Sequence, residues 1–110
     1  MKRVLLDESV PRALGFELAG HFVRTVQAAG FSGYANGALL AAMQEAKFDV
    51  LITFDQSLPY QQSADLPVSV LILVANDNRL PTAKAFVPQL LEALKHSPMP
   101  KIQRFVMTTE

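Results

Sequence analysis

The segment VSVLILV, residues 68–74, limits the possible folds more than any other part of this sequence. An apolar run of this kind is typical of a β-strand that is buried on both faces, as the strands of parallel sheets are. Two runs rich in β-branched residues, HFVRTV at 21–26 and FDVLITF at 48–54, also predict strands. A short apolar run from Arg3 to Asp7 and the segment KIQRFVMT at 101–108 complete the predicted set. The last segment is predicted to be an edge strand because it carries Lys101, Gln103 and Arg104.

Helical patterns separate these strands. Pro11 precedes an apolar segment that Gly20 closes, and proline near the start with glycine past the end is the usual helix asymmetry. The segment ALLAAMQEAK at 38–47 consists of strong helix formers. A longer helix is predicted from Ala83 to His96, with one apolar stripe. The stripe contains Phe86, Val87, Leu90, Leu91 and Leu94.

The alternation of strands and helices predicts an α/β fold with a central, mainly parallel sheet and helices on its faces. A chain of 110 residues is long enough for one domain and one core.

Composition excludes several classes of protein. Ten basic and ten acidic residues give a formal net charge of zero, so no global excess of positive charge favours nucleic acid. Without cysteine, the chain has neither disulfides nor cysteine-ligated zinc. The start MKRVLLDE does not fit a signal peptide, and no apolar run approaches the roughly 20 residues of a membrane helix. A cytoplasmic protein without a membrane segment is therefore expected.

Polar side chains follow several predicted strands at the point where each strand ends. Asp7 and Glu8 close the first strand, Asp55 follows the third, and the segment 76–78 (Asn-Asp-Asn) follows the fourth. In parallel sheets the ligand crevice lies beyond these carboxyl ends. Asp7 and Asp55 together make a candidate site for a hard divalent cation, which prefers carboxylate and water oxygens.

A purely structural role is the alternative for each of these acids. Asp7 and Glu8 precede a predicted helix, where acidic side chains cap free N–H groups, and Asp55 can cap a short turn. Both interpretations stay open for Asp7 and Asp55, whereas Asp77 is best explained as a turn residue. His21 and His96 have no partner at ligand spacing, so neither is assigned a catalytic role.

Five segments resemble one known family. VLLDESVPRAL, GHFVRTV, GFSGYANGALLAA, FDVLITFDQSLPYQQ and NRL occur in the order and spacing typical of the PIN-like proteins of the family DUF5615. The likeness runs from residue 3 to about residue 80, and the C-terminal third is similar only in layout. It implies a single three-layer PIN-like α/β domain over residues 1–110.

The resemblance also implies a chemistry. Many PIN domains are Mg²⁺- or Mn²⁺-dependent ribonucleases, and some are toxins that pair with a small antitoxin protein. Carried over by position, Asp7 and Asp55 are the metal ligands and catalytic acids, and Glu8 is an outer helper at the catalytic site. The residues expected to contact an RNA substrate are Arg12, Asn36, Gln61, Gln62 and Arg79.

Two departures from the family pattern weaken the expected acidic site. Ala38 stands where the family usually has glutamate, and Ser57 stands where many PIN domains have a further acid. Two hypotheses follow: a metal-dependent ribonuclease with a reduced acidic site, or a non-catalytic module that forms a homodimer or binds a small antitoxin-like protein. The surface expected for association is the helix from Phe86 to Leu94 or the loop near Phe31 and Tyr34.

Overall fold

The computed structural model describes residues 1–57 and 66–107, and these residues contain one five-stranded sheet. The strands are β1 (Arg3–Leu6), β2 (Phe22–Thr25), β3 (Val50–Thr53), β4 (Ser69–Val74) and β5 (Ile102–Val106). Their order across the sheet is β2-β1-β3-β4-β5, and every pair of neighbours is parallel. The predicted α/β class with a parallel central sheet is confirmed, and the described part of the sheet is parallel throughout.

The two faces of the sheet carry separate apolar clusters because successive side chains of a strand point to opposite faces. Val4 and Leu6 belong to one cluster with Ile52, whereas Leu5 and Leu51 belong to the other. The predicted burial of the 68–74 run on both faces is also found, since Val70 through Leu73 are fully buried.

Within residues 1–57 and 66–107, four helical elements cover these faces. They are a 3-10 helix (Arg12–Glu17), α1 (Asn36–Glu45), α2 (Leu80–Lys84) and α3 (Val87–Leu94). The first face packs against the 3-10 helix, α2 and α3, while α1 packs against the second face. Three layers result, with the sheet in the middle.

The predicted helix after Pro11 is shorter and tighter than expected. Its hydrogen bonds span three residues, as from the Leu14 N–H to the Pro11 carbonyl oxygen at 3.0 Å. Gly15 lies in the middle of this segment and costs an α-helix about 1 kcal/mol relative to alanine. A Cβ atom at Gly15 would lie 3.2 Å from Cγ1 of Val23, so glycine also lets this helix approach β2 closely.

The single helix predicted from Ala83 to His96 is wrong, because the structure divides this region into α2 and α3. Pro88 has no N–H for the Lys84 carbonyl oxygen, and its ring would clash with that carbonyl group. The proline is accommodated in the first turn of α3 instead. Phe86, Leu90 and Leu94 of the predicted stripe are buried in the chain's own core, so they do not form an exposed association surface.

The sheet has β2 at one edge and β5 at the other, which confirms the prediction for the last strand. Ile102 and Val106 of β5 are exposed. None of the helices in the described ranges is long and apolar enough to cross a membrane.

Candidate functional site

Asp7 and Asp55 lie at the same edge of the sheet, which is called the carboxyl rim below. Asp7 directly follows β1, Asp55 lies two residues after Thr53 at the end of β3, and these two strands are parallel neighbours. The Asp7 N–H donates to the Ile52 carbonyl oxygen at 3.0 Å, which extends the pairing up to the aspartate. The predicted convergence of strand ends therefore holds for this pair.

The side chain of Thr53 connects the two aspartates. Its hydroxyl group donates to Oδ2 of Asp7 at 3.0 Å and accepts from the backbone N–H of Asp55 at 2.9 Å. Thr53 is fully buried. A buried hydroxyl group that both donates and accepts in this way fixes the position of its neighbours, because breaking either bond leaves a polar group unpaired.

Ser9 adds a second link between β1 and β3. Its hydroxyl group donates to Oδ2 of Asp7 at 2.7 Å and accepts from the Phe54 N–H at 3.0 Å. The Ser9 N–H also approaches the same Asp7 oxygen, at 3.3 Å. Sequence reasoning missed both Ser9 and Thr53; the available signal was a hydroxyl residue two positions from each strand-end aspartate.

Asp55 and Asp77 each hold a tight turn in the same manner. Oδ1 of Asp55 accepts from the N–H and the hydroxyl group of Ser57, at 3.0 and 2.7 Å. Oδ1 of Asp77 accepts from the Arg79 N–H at 2.9 Å and from the Thr82 hydroxyl group at 2.6 Å. The hydrogen bond from Thr82, followed by that from Arg79, lowers the pKa of Asp77 below its ordinary value. Asp77 is thus a turn residue, as predicted.

These turns leave part of each rim carboxylate open to a ligand. Within residues 1–57 and 66–107, hydrogen bonds reach only Oδ2 of Asp7 and only Oδ1 of Asp55. The second oxygen of each group accepts none from those residues. A carboxylate held through one oxygen presents the other in a fixed direction, as metal-ligating carboxylates do.

The acidic site is small within the described part of the chain. No group of three or more His, Cys, Asp or Glu side chains there is arranged to hold a metal ion. Glu8 accepts a 3.4 Å hydrogen bond from the Gly33 N–H through Oε1, which links it to the loop before α1. The donor set fits a cation that takes two carboxylates and keeps several waters, as Mg²⁺ usually does.

The remaining predicted residues are spread along the carboxyl rim and beyond it. Asn78 donates from Nδ2 to the Ser9 carbonyl oxygen at 2.8 Å, which joins the loop after β4 to the Asp7 turn. Arg79 is exposed just before α2, and Asn36 is the first residue of α1. Arg12 is exposed at the start of the 3-10 helix. Gln61 and Gln62 lie outside the described residues.

Ala38 and His21, both considered in the sequence analysis, lie in different parts of the fold. Ala38 is exposed in the first turn of α1. His21 precedes β2 at the opposite end of the sheet, where its Nδ1 accepts from the Lys2 N–H at 3.0 Å. Burial, followed by the positive charges of the chain's N-terminus and Lys2, lowers the pKa of His21 below its ordinary value. The histidine therefore has no part in the carboxyl rim.

Comparisons with known proteins add no assignment. A scan against protein-family models finds no match, and neither the curated proteins nor the solved structures contain a significantly similar chain. The resemblance to the PIN-like family consequently stays a hypothesis that depends on the sequence motifs.

Proposed function

We propose that this protein is a metal-dependent ribonuclease of PIN-like type, with Asp7 and Asp55 as the ligands of one Mg²⁺ or Mn²⁺ ion. One observation carries the proposal: the two carboxylates follow adjacent parallel strands, and among the described residues hydroxyl groups hold each through one oxygen only. Such an ion, when bound, stabilises negative charge on a phosphate and lowers the pKa of a bound water. The substrate would be RNA in the cytoplasm.

Other residues around the carboxyl rim have supporting roles in this proposal. Glu8 is the outer-shell acid, held toward the loop before α1. Arg12 and Arg79 are exposed cations that both follow the Asp7 turn in the chain, and their guanidinium groups suit phosphate oxygens. Asn78 keeps the loop that carries Arg79 attached to the Asp7 turn through its bond to Ser9.

Metal binding is tested by titration calorimetry with Mn²⁺ on the wild-type chain, Asp7→Asn, Asp55→Asn and Ala38→Glu. Each aspartate substitution should lower the affinity, because each carboxylate adds attraction in a partly desolvated cleft. Ala38→Glu should raise it by restoring the acid that the family has in this helical turn. Glu45→Gln, at the far end of α1, removes one negative charge as the two aspartate substitutions do, and it serves as their control.

Activity is tested with single-stranded RNA in the presence of Mn²⁺. Cleavage that disappears in Asp7→Asn but persists in Glu45→Gln supports the proposal. Equal and negligible Mn²⁺ affinity in the wild-type chain, Ala38→Glu and the double variant Ala38→Glu/Asp55→Asn would refute it.

A non-catalytic association module is the second candidate function. The observation that favours it is that Ser9, Ser57 and Thr82 give Asp7, Asp55 and Asp77 the same turn-forming role, which needs no metal. The surface for a second copy or a small antitoxin-like protein would be the Phe31–Tyr34 loop, since the core occupies the apolar side of α3.

The Phe31–Tyr34 loop offers a compact apolar patch to such a partner. Tyr34 is 47% exposed, and the two rings lie 5.5 Å apart. Sedimentation of the wild-type chain and of Tyr34→Ser tests this candidate. Association that Tyr34→Ser abolishes supports it, and a monomer at high concentration without a co-purifying protein counts against it.

A further inference from the structure

A cleft of about 540 Å³ runs beside β2, the strand at one edge of the sheet. The 3-10 helix forms one wall and β2 forms the other. The residues that matter below are Arg12 and Phe16 of the helix and the segment from His21 to Thr25. This feature is called the β2-edge cleft, and all of its lining lies within the described residues.

At this edge the outward carbonyl oxygens of β2 each already accept a hydrogen bond from this chain. The Phe22 N–H donates to the Lys2 carbonyl oxygen just before β1, and the Val26 N–H donates to that of Leu6 at its end. By alternation, the backbone polar groups of Val23 and Thr25 point away from the sheet. The Val23 carbonyl oxygen accepts from Nη1 of Arg24 at 3.0 Å. The Thr25 carbonyl oxygen accepts from the Ala29 N–H at 2.9 Å. The N–H groups of Val23 and Thr25 remain for a ligand.

A donor-only edge is poorly suited to another β-strand. Strand addition needs donors and acceptors in alternation along the edge. Both outward carbonyl oxygens of β2 are already used by groups of this chain, and arginine over an edge is a common way to prevent strand pairing. The same set of donors suits an anion, since an anion only accepts.

The charges around the β2-edge cleft lead to the same ligand class. Arg12 and Arg24 line it, and no Asp or Glu does among the described residues. This is a local excess of positive charge in a chain whose formal net charge is zero. Two guanidinium groups are suited to phosphate oxygens, which they bind through paired N–H donors.

Phe16 adds a feature that a phosphate alone does not explain. Its side chain is 87% exposed at the wall of the β2-edge cleft. Arg24 also lines the cleft, and its guanidinium group lies 4.1 Å from the ring centroid of Phe22. Exposed aromatic rings beside cationic groups are the elements with which proteins bind single-stranded nucleic acid, because every base has a face that can stack.

The β2-edge cleft is continuous with the proposed catalytic edge. A second hollow of about 400 Å³ is lined by Glu8, Val10, Pro11, Arg12, Thr25 and Gln27. It shares Arg12 and Thr25 with the β2-edge cleft, and Glu8 is the neighbour of Asp7 in the chain. A strand that reaches Asp7 can therefore continue past Arg12 into the cleft.

We propose that the β2-edge cleft binds the part of a single-stranded RNA next to the cleavage site, with Arg12 and Arg24 on phosphates and Phe16 stacked on a base. The proposal deepens the ribonuclease function and rests on it for the choice of nucleic acid. The binding itself requires no metal, so it can be measured separately.

The test is fluorescence anisotropy of a labelled RNA of about 10 nucleotides, the size of strand that one small domain covers. EDTA is present, so cleavage does not interfere. Phe16→Ala should weaken binding by at least about fivefold, the lower end of what a base-stacking residue contributes. Arg12→Gln and Arg24→Gln should each weaken binding and lower the slope of log affinity against log salt by about 0.7.

Arg104→Gln on β5, the opposite edge strand, is the matched control. It should change the affinity by less than about twofold, which is close to the measurement error. A duplex of the same sequence should bind more weakly than the single strand, because its bases are not free to stack. Circular dichroism of each variant checks that the fold is intact, which is expected because Arg12, Phe16 and Arg24 are exposed.

The proposal fails if Phe16→Ala and Arg24→Gln bind the RNA as the wild-type chain does. It also fails if an acidic peptide of equal charge displaces the RNA as well as unlabelled RNA does, since the cleft would then be a general anion site. Cleft-dependent binding without any Mn²⁺ affinity would refute the ribonuclease function but keep the binding site. Metal-dependent cleavage with an unchanged KM in the cleft variants would refute the binding site but keep the ribonuclease function.

Discussion

Replacing Thr53 by valine tests whether the hydroxyl network at the carboxyl rim stabilises the fold. The change keeps the shape of the side chain but removes a bond to the Asp7 carboxylate and the acceptor of the Asp55 N–H. A hydrogen bond to a charged group contributes about 1.5–3 kcal/mol, and an unpaired buried N–H costs about 1–3 kcal/mol. The added methyl group of valine offsets about 1 kcal/mol of this loss. Thr53→Val should therefore lower the free energy of unfolding by about 1.5–5 kcal/mol.

Urea denaturation at neutral pH measures this difference, with two controls. Thr53→Ser keeps the hydroxyl group and loses one methyl group, so it should cost only about 1 kcal/mol. Thr25→Val removes a comparable acceptor, of the Ala28 N–H, from a more exposed position and should cost about 0.5 kcal/mol. If Thr53→Val were as stable as the wild-type chain and Thr53→Ser were the weaker of the two, methyl packing would be the important contribution and the network argument would be refuted.

Three further predictions concern other parts of the structure. Arg3→Lys should lower the free energy of unfolding, measured by urea denaturation, by about 1–2 kcal/mol. The Arg3 guanidinium group stacks on Phe22 and also donates to two carbonyl oxygens after α1, and a lysine side chain cannot make both kinds of contact at once. The pKa of His21 is lowered in the folded chain, so the unfolded chain binds more protons and the free energy of unfolding should decrease as the pH falls below 6.5. His21→Gln should lose less stability over the same pH range, and an equal loss would show that His21 is not the group responsible. Ser57→Asp removes the hydroxyl donor to Asp55, keeps the backbone N–H donor and adds a negative charge beside the carboxylate, so it should lower the free energy of unfolding of the metal-free chain by about 1 kcal/mol. Mn²⁺ should restore this stability, and a variant that Mn²⁺ leaves unchanged would argue against a cation at Asp55.

The sheet was predictable from the sequence because its signal is local. Each buried strand shows as an apolar run, and the alternation with helices implies parallel pairing. The division between α2 and α3 could also have been read from Pro88, since a proline at that position prevents a continuous helix. The apolar stripe from Phe86 to Leu94 concealed it, because the stripe has a helical period on both sides of the break.

The hydroxyl network was not predictable, because it depends on the register between two strands that are distant in the chain. Leu6 pairs with Ile52, and this pairing is what brings Ser9 close to Thr53. A shift by one residue would turn Thr53 to the other face of the sheet. A threonine at the end of an apolar run carries no sign of such a partner, so sequence reasoning found the aspartates but not the groups that hold them.

Turn formation and metal ligation are compatible roles for the rim aspartates. The surroundings of Asp7, Asp55 and Asp77 differ. Each carboxylate forms its turn through a single oxygen, so forming a turn does not by itself prevent ligation. Asp7 and Asp55 are partly buried on either side of the fully buried Thr53, whereas Asp77 is exposed. Because attraction between charges strengthens as water is excluded, a cation gains more at the first two residues than at the third. A divalent cation at the carboxyl rim should accordingly depend on Asp7 and Asp55 and be little affected by the loss of Asp77.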